Sequence, residues 1–195
     1  SFFFASYKGG LGSEDIYYSK REGHKWGKPI NIGAPINSKG YEGFPSISSD
    51  GKYIYFLRLN RNIVNKLNCY TMMVSHKNEL GKWGRPITLP RPLNLGCEKF
   101  PRIMPDNETL IFSSIRTGSN GGSFDLYETK LKEGNKWTTP KPLTFANTSE
   151  QDYFATVSSR ADLIYLNVKG VIDYDFFSFD IPAEFKPKKV VNIQG

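Results

Sequence analysis

Four short apolar runs recur along the chain, and in each of them both sets of alternate positions are largely hydrophobic. In chain order, the runs are SFFFASY, YIYFL, TLIFSSI and DLIYLNV. A strand with one wet face alternates apolar and polar residues, so these runs predict strands that are buried on both faces. The connections are rich in Gly, Asn and Ser and lack a helical period, which argues against parallel βαβ units. The pattern favours small antiparallel sheets stacked face to face, as in a β-propeller.

The same pattern returns at a nearly constant interval, which indicates a repeated structural unit. Phe44, Phe100 and Phe154 are spaced by 56 and 54 residues. Three further sets align in the same register: Trp26, Trp83 and Trp137; Tyr17, Tyr70, Tyr127 and Phe177; and Asn37, Asn94 and Asn147, which precede the acidic residues Glu42, Glu98 and Asp152. Each copy predicts four strands. The predicted blades are residues 1–43 (partial), 44–99, 100–152 and 153–183, followed by an exit segment, 184–195.

Turn residues mark the start of each copy. Pro45 and Pro101 lie in the predicted first strands, and Asp50-Gly51 is a hairpin signal because these residues tolerate the positive φ of a tight turn. Asp106-Asn107 replaces that pair in the third copy. In the fourth copy the corresponding stretch, 160–162, reads Arg-Ala-Asp, which predicts a looser or differently shaped turn.

The segments FPSISSDGKYIYFLR, GSEDIYYSK and GKWGKPINIGAPINS resemble the WD40-like repeat of TolB-type propellers. The version with KW..P..L is similar to the propellers of Bacteroidota envelope proteins that also carry an OmpA-like peptidoglycan-binding domain. The resemblance implies an all-β chain of four-stranded blades, part of a six-bladed propeller whose missing blades precede Ser1. It implies a periplasmic setting associated with the outer membrane, and an exit segment that opens a following β domain.

The composition is that of a folded domain, and it argues against some classes of binding partner. The chain has 195 residues, is 38% hydrophobic and 14% aromatic, and carries a net charge of +7. The basic residues are scattered apart from KPKK at 186–189, which argues against a nucleic-acid module. No apolar run is long enough for a membrane span, and no leader sequence is recognisable. Cys69 and Cys97 permit a disulfide, but two free thiols are favoured because neither cysteine belongs to a pairing motif.

No catalytic or metal-binding motif is recognisable, so we expect no enzyme activity, metal or cofactor. His24 and His76 lie in charged turn segments, where a solvated side chain is the better interpretation. Asp15, Asp125 and Asp175 open the third strands, with Asn68 in the second copy. A ring of such acids could bind a cation or a sugar, but capping of the preceding Gly-rich loop is favoured.

Two sets of side chains remain as candidates for binding. Lys8, Arg58, Arg61 and Arg116 lie in or beside the loops between the second and third strands and are the candidates for binding an anionic partner, although a basic residue there can also anchor its own loop. The three Trp residues could stack on sugars, but their fixed position in each copy favours packing between blades.

The expected function is a non-catalytic scaffold of the bacterial cell envelope that binds a protein partner, in an outer-membrane or peptidoglycan-associated assembly or in a secretion assembly. Peptidoglycan is expected to be bound only through a separate domain. Neither nucleic-acid binding nor direct membrane insertion is expected. The alternative is a propeller accessory to a hydrolase of the prolyl-oligopeptidase type, or a propeller that binds glycans. Fold alone does not distinguish these roles.

Overall fold

The structure of the protein is a computed structural model, which describes residues 1–59, 69–95, 97–116, 119, 123–158, 160–169 and 173–188. The described residues form β-strands and two short 3-10 turns, so the prediction of an all-β chain of propeller blades is confirmed. The chain divides into two compact units, Ser1–Pro101 and Arg102–Gly195.

The first copy contributes an antiparallel sheet of three strands and a small hairpin, and lies in the first unit. Its strands are β1 Phe2–Ser6, β2 Asp15–Ser19, β3 Arg21–Glu22, β4 Lys25–Trp26 and β5 Ile30–Asn31. The sheet has the order β1-β2-β5, and β3 pairs with β4. The first copy therefore contributes one three-stranded sheet within residues 1–43.

The second copy is a complete four-stranded blade. Its strands are β6 Glu42–Ile47, β7 Tyr53–Leu59, β8 Tyr70–His76 and β9 Ile87–Thr88, and each is antiparallel to the next. The first strand begins two residues before the predicted boundary at 44, because Glu42 already pairs with Arg58.

The third and fourth copies repeat this plan. The third contains β10 Glu98–Ile103, β11 Thr109–Ser114, β12 Asp125–Lys132, the 3-10 turn Glu133–Asn135, β13 Lys136–Trp137 and β14 Lys141–Pro142. The fourth contains β15 Tyr153–Val157, β16 Leu163–Lys169, β17 Tyr174–Asp180 and the 3-10 turn Ala183–Phe185. The described part of the exit segment folds back on the second unit, where Phe185 contacts Phe145 and the Lys188 ammonium pairs with Glu108 at 2.7 Å.

A left-handed phenylalanine recurs in the first strand of each of the last three copies. Phe44, Phe100 and Phe154 have φ of 53°, 54° and 55°. The register of β6 against β7 shifts between Gly43 and Ser46, which marks a bulge, and Pro45 lies inside it. Proline is tolerated at a bulge because no ladder hydrogen bond is required of its nitrogen. The repeated FP dipeptide therefore marks this bulge.

The turn between the first and second strands has the same shape in three copies. Gly51, Asn107 and Ala161 have φ of 69°, 58° and 53°, and each amide donates to the carbonyl three residues earlier. The prediction of a looser turn in the fourth copy is therefore wrong. The Ser158 hydroxyl accepts hydrogen bonds from the amides of Asp162 and Leu163, and these bonds hold an alanine in a conformation that favours glycine.

Successive copies within a unit pack face to face. We call the face of a copy that packs on the preceding copy its N-side face, and the face that packs on the following copy its C-side face. In the first unit, Ile16 and Ile36 on the C-side face of copy 1 contact Ile54 and Phe56 on the N-side face of copy 2. In the second unit, copies 3 and 4 pack through an equivalent set: Ile111, Leu126, Ile164 and Leu166.

Burial on both faces is confirmed for the second strands of copies 2 and 3. Every residue of β11 is buried, as are Ile54 to Leu57 of β7. In β16 the pattern alternates, with Ile164 and Leu166 buried and Tyr165 exposed, and in β1 Phe2 is exposed. The prediction for these two strands is therefore wrong in the structure, because only one face of each is covered.

In the first three copies an asparagine joins the third strand to the connection that follows; Asn37 is buried, and its two equivalents are partly buried. The Asn37 Oδ1 accepts the Ile16 amide at 2.9 Å, and its Nδ2 donates to the Ile16 carbonyl at 2.9 Å. Asn94 binds both backbone groups of Met72 in the same way, and Asn147 binds those of Leu126.

These bonds correct the alignment of the third strands. Ile16, Met72 and Leu126 are equivalent, so the partner of Tyr17 and Tyr127 in copy 2 is Met73. The alignment of Tyr70 with Tyr17 is wrong by three residues. By the same register, Thr71 rather than Asn68 replaces the strand-opening aspartate, and Asn68 itself lies outside the described residues.

The cysteines form a disulfide, which overturns the expectation of free thiols. Cys69 and Cys97 are bonded, with their Cα atoms 4.5 Å apart. Tyr70 pairs with Glu98 between β8 and β10, and this pairing brings the two preceding cysteines together. No local sequence motif signals the bond, because the proximity depends on how one copy ends beside the start of the next.

Candidate functional site

The predicted basic residues have different environments in the structure. The Arg58 guanidinium pairs with the buried Glu42 carboxylate at 2.8 Å and donates to the Ile36 carbonyl at 2.9 Å, so it joins β7 to β6 and to the connection from copy 1. Arg116 lies over the rings of Phe112 and Tyr127, at 4.8 and 5.0 Å from their centroids. This is the loop-anchoring role that we considered for a basic residue here.

Lys8 is exposed, and its carbonyl accepts a hydrogen bond from the Tyr17 hydroxyl. Arg61 lies outside the described residues. Binding of an anionic partner by these four residues therefore stays a prediction.

The three aspartates that open the third strands also have different environments. The Asp15 carboxylate accepts the amides of Leu11 and Gly12 at 2.6 and 3.2 Å, and the Asn31 amide group at 2.8 Å. It caps the Gly-rich loop, as favoured from the sequence. Asp125 is buried and Asp175 is exposed. Within the described ranges, no group of three or more His, Cys, Asp or Glu side chains is arranged to hold a metal ion.

The three tryptophans do not share one environment. Trp83 packs against the core between copies 1 and 2, as predicted for a residue between blades. Trp137 is half-buried on β13, whereas Trp26 is 57% exposed and contacts Phe2 at 5.9 Å between ring centroids. For Trp26 the prediction of a buried packing role is wrong in the structure.

A groove between copies 1 and 2 is the strongest candidate for a binding site. It lies entirely within the first unit and has a volume of about 590 Å³. Its chemical character comes from three lysines and three aromatic residues: Lys20, Lys77, Lys82, Phe3, Tyr18 and Trp83. We call it the lysine–aromatic groove. The remaining lining residues are small or aliphatic, and none of the eleven described lining residues carries a carboxylate.

Local folding positions these groups. Lys20 directly follows β2, and Lys77 directly follows β8, so the ends of two successive third strands each supply a cation. Lys77 bridges to Trp83 across a tight turn, in which the Gly81 amide donates to Asn78. Phe3 and Tyr18 are paired across β1 and β2, with ring centroids 5.8 Å apart.

The groove is suited to an anionic ligand that also has an apolar part. The Lys77 ammonium lies 4.6 Å from the centroid of the Trp83 ring, a cation–π contact that holds it beside the apolar wall. Lys20 and Lys82 are exposed, so their ammonium groups can reach a bound carboxylate. Three cations with no carboxylate among the lining residues favour binding of negative charge rather than acid–base chemistry.

Sequence reasoning missed the groove. The charged turn segments before the tryptophans, REGHKW and VSHKNE, predict only that their histidines are solvated. His24 and His76 are indeed exposed, and His76 contacts Tyr53. The usable signal was the lysine that follows the third strand in both copies, combined with the face-to-face stacking of those copies.

Comparisons with known proteins identify the fold. No family model and no curated protein sequence matches the chain. Among solved structures, a TolB-like protein from Agrobacterium tumefaciens aligns over 86% of this chain and 53% of its own, with 14% identity and a TM-score of 0.55. The β-propeller domain of the Trilobed protease from Pyrococcus furiosus aligns over 93% of this chain and 56% of its own, with 16% identity and a TM-score of 0.41.

The first of these similarities supports the propeller fold. The chain spans about half the length of either solved structure. In the part of the chain that the structure describes, no helix has the length and hydropathy needed to cross a membrane.

Proposed function

We propose that the chain is a non-catalytic interaction domain of the bacterial cell envelope, and that its lysine–aromatic groove binds an acidic segment of a protein partner. The observation that carries this proposal is the composition of the groove, in which three lysines face apolar and aromatic walls. An extended acidic peptide with an apolar side chain matches both features. The net charge of +7 also attracts an acidic partner at long range.

Two further observations support the envelope setting. Disulfides persist in oxidising compartments such as the periplasm and are rare in the cytosol, and Cys69 is bonded to Cys97. The TolB-like neighbour has the same propeller fold. Association with the outer membrane, and with peptidoglycan through a separate OmpA-like domain, is part of this proposal and rests on the sequence resemblance. No described groove feature favours the hydrolase-accessory or glycan-binding alternative over it.

Binding is tested with a labelled peptide that carries four glutamates beside one tyrosine. Fluorescence anisotropy should show saturable binding to the chain, with an affinity that falls as salt is raised. Lys77→Glu should weaken binding by roughly tenfold or more, because it removes a cation and adds a repelling charge. Lys39→Glu is the matched control, since Lys39 is an exposed lysine that does not line the groove.

A peptide in which lysines replace the glutamates should not bind the natural chain. Equal losses for Lys77→Glu and Lys39→Glu would show that only the net charge matters, and this result would overturn the groove as the binding site. Recovery of binding by the lysine peptide with Lys77→Glu would support direct pairing at this position.

A further inference from the structure

Three tyrosines and one glutamate meet at the junction of copies 1 and 2, within the first unit. In copy 1, Tyr7 directly follows β1 and Glu14 directly precedes β2. Tyr41 directly precedes β6, and Tyr70 is the first residue of β8 in copy 2. We call this set the tyrosine–glutamate cluster. None of its four residues lines the lysine–aromatic groove.

Backbone hydrogen bonds place Glu14 beside Tyr41. The two residues form a parallel bridge, and the Glu14 carbonyl accepts the Glu42 amide at 2.9 Å. The Tyr41 carbonyl accepts the Leu59 amide at 3.2 Å, which ties the same connection to the end of β7. The connection between the two copies therefore fixes where the carboxylate and this ring lie.

Two of the tyrosine rings meet at an angle over a glycine of β6. The Tyr41 and Tyr70 ring centroids are 5.1 Å apart, and the ring planes are tilted by 46°. A Cβ atom on Gly43 would lie 2.8 Å from the Tyr41 hydroxyl oxygen. A glycine inside a strand often marks such a close approach, so Gly43 gives the Tyr41 ring room to pack there.

The Glu14 carboxylate lies beside two tyrosine hydroxyls. Its negative charge is the main cause that raises the pKa of Tyr7, followed by burial and by a hydrogen bond to Glu14. Burial is the main cause that raises the pKa of Tyr41, followed by a hydrogen bond to Glu14 and by its charge. Because each hydroxyl donates its proton to the carboxylate, each phenolic oxygen keeps the capacity to accept a donor from a ligand.

One oxygen of the same carboxylate is left without a donor. The Glu14 Oε2 atom is buried and has no hydrogen-bond partner among the described residues. A buried acceptor without a donor is costly, so this arrangement favours a ligand that brings an N–H group. Tyr7 is 75% exposed, and an exposed side chain changes rotamer rapidly, so its movement can open a path to Oε2.

We propose that the tyrosine–glutamate cluster binds a primary alkylammonium group, the chemistry of a lysine side chain. An ammonium has three N–H donors and no acceptor, which match Oε2 of Glu14 and the phenolic oxygens of Tyr7 and Tyr41. The tyrosine rings add cation–π attraction. A guanidinium fits less well, because its planar fork pairs with both oxygens of a carboxylate and only Oε2 lacks a donor.

This proposal goes beyond the proposed function, since the lysine–aromatic groove attracts negative charge and the tyrosine–glutamate cluster attracts positive charge. The net charge of +7 opposes the general uptake of cations by the chain. Saturable binding of a small cation therefore reports on a local site.

Nuclear magnetic resonance of the chain with labelled tyrosine rings tests the site, with n-butylammonium as the probe. The ring signals of Tyr7, Tyr41 and Tyr70 should shift saturably while sodium chloride keeps the ionic strength constant. Tetramethylammonium carries the charge but no N–H donor, so it should bind roughly tenfold more weakly. The neutral n-butanol should not shift these rings.

Substitutions then separate the carboxylate from the rings. Glu14→Gln should weaken binding of n-butylammonium by roughly tenfold or more, because the paired charge is lost. Glu79→Gln is the matched control, since Glu79 is an exposed glutamate on a turn outside the cluster. Tyr7→Leu should weaken binding by roughly threefold, through loss of a cation–π contact. At 75% exposure, the Tyr7 ring contributes little to the fold.

The probes on the natural chain decide the proposal without relying on the folding of any variant. Absence of saturable shifts at the three rings would overturn it, as would equally tight binding of tetramethylammonium or n-butanol. Equal losses for Glu14→Gln and Glu79→Gln would also overturn it. A lysine peptide, acetyl-Gly-Lys-Gly-amide, identifies the source of the ammonium: tighter binding than n-butylammonium supports a lysine of a protein partner, and weaker binding supports a small free amine.

Discussion

Removal of the Asn37 side chain should destabilise the first unit more than any exposed substitution. Asn37 is 2% exposed and makes three hydrogen bonds: it accepts from the Ile16 amide and donates to the Ile16 carbonyl and to Asn31. In Asn37→Ala the Ile16 carbonyl keeps the bond from Ile32, but the Ile16 amide loses its side-chain acceptor. A buried amide without an acceptor costs about 1–3 kcal/mol, and a lost hydrogen bond costs about 1 kcal/mol. We therefore expect a loss of roughly 3 kcal/mol in the free energy of unfolding.

Urea unfolding followed by tryptophan fluorescence measures this loss. A Trp137→Phe background leaves Trp26 and Trp83, which both report on the first unit. Asn78→Ala is the control, because Asn78 is exposed and its side chain accepts only the Lys82 amide among the described contacts, so its loss should stay below about 1 kcal/mol.

Asn37→Asp gives a second, independent check. The carboxylate still accepts the Ile16 amide but meets the Ile16 carbonyl and the Asn31 side-chain oxygen with a negative charge where Asn37 presents a donor. It should cost more than Asn37→Ala at neutral pH, and the difference should shrink in acid as the new carboxyl is protonated. If Asn37→Ala matched the Asn78→Ala control, the interpretation of this residue as an anchor would be refuted.

Three further predictions concern the turns, the disulfide and a buried acid. Gly51→Ala should lower the free energy of unfolding by about 1–2 kcal/mol, because alanine disfavours the φ of 69° at this position. No atom lies within 4 Å of the added Cβ, so the loss should come from the backbone conformation alone. An unchanged urea midpoint would contradict the turn geometry. Reduction of Cys69–Cys97, 28 residues apart, should lower the free energy of unfolding by about 3–4 kcal/mol, and an equal midpoint with and without reductant would contradict the bond. Burial raises the pKa of the Asp152 carboxyl, so the folded chain binds this proton more tightly than the unfolded chain does. The folded chain therefore loses stability as the pH rises from the ordinary aspartate range through the raised pKa. The stability of Asp152→Asn relative to the natural chain should therefore be higher at neutral pH than at acidic pH. Unfolding curves of both chains at the two pH values measure this difference, and the opposite trend would contradict the pKa direction.

The parts of the fold that depend on local sequence were predictable. Asp50-Gly51 predicted the turn that forms, and the apolar run of β7 predicted its burial on both faces. Ala161 led to the wrong prediction of a looser turn in the fourth copy. Its turn is held by hydrogen bonds to Ser158, and these bonds compensate for a residue that does not favour left-handed φ. Local propensity was overridden there by the surrounding hydrogen bonds.

Features that depend on the meeting of two copies were not predictable from local patterns. The aromatic Tyr70 suggested the wrong register for β8, because the true register is fixed by the bond between Met72 and Asn94, 22 residues later. The disulfide and the lysine–aromatic groove both arise from neighbouring copies. Lys20 and Lys77 are 57 residues apart and line the same groove only after copies 1 and 2 stack.

The most direct test of the proposed function is a map of the binding surface by nuclear magnetic resonance. An isotope-labelled chain titrated with the glutamate–tyrosine peptide should show its largest amide and indole shifts around Lys20, Lys77, Lys82 and Trp83, which line the groove. Shifts centred instead on Lys8 and Arg116, or spread evenly over the basic surface, would contradict the groove as the site where an acidic partner binds.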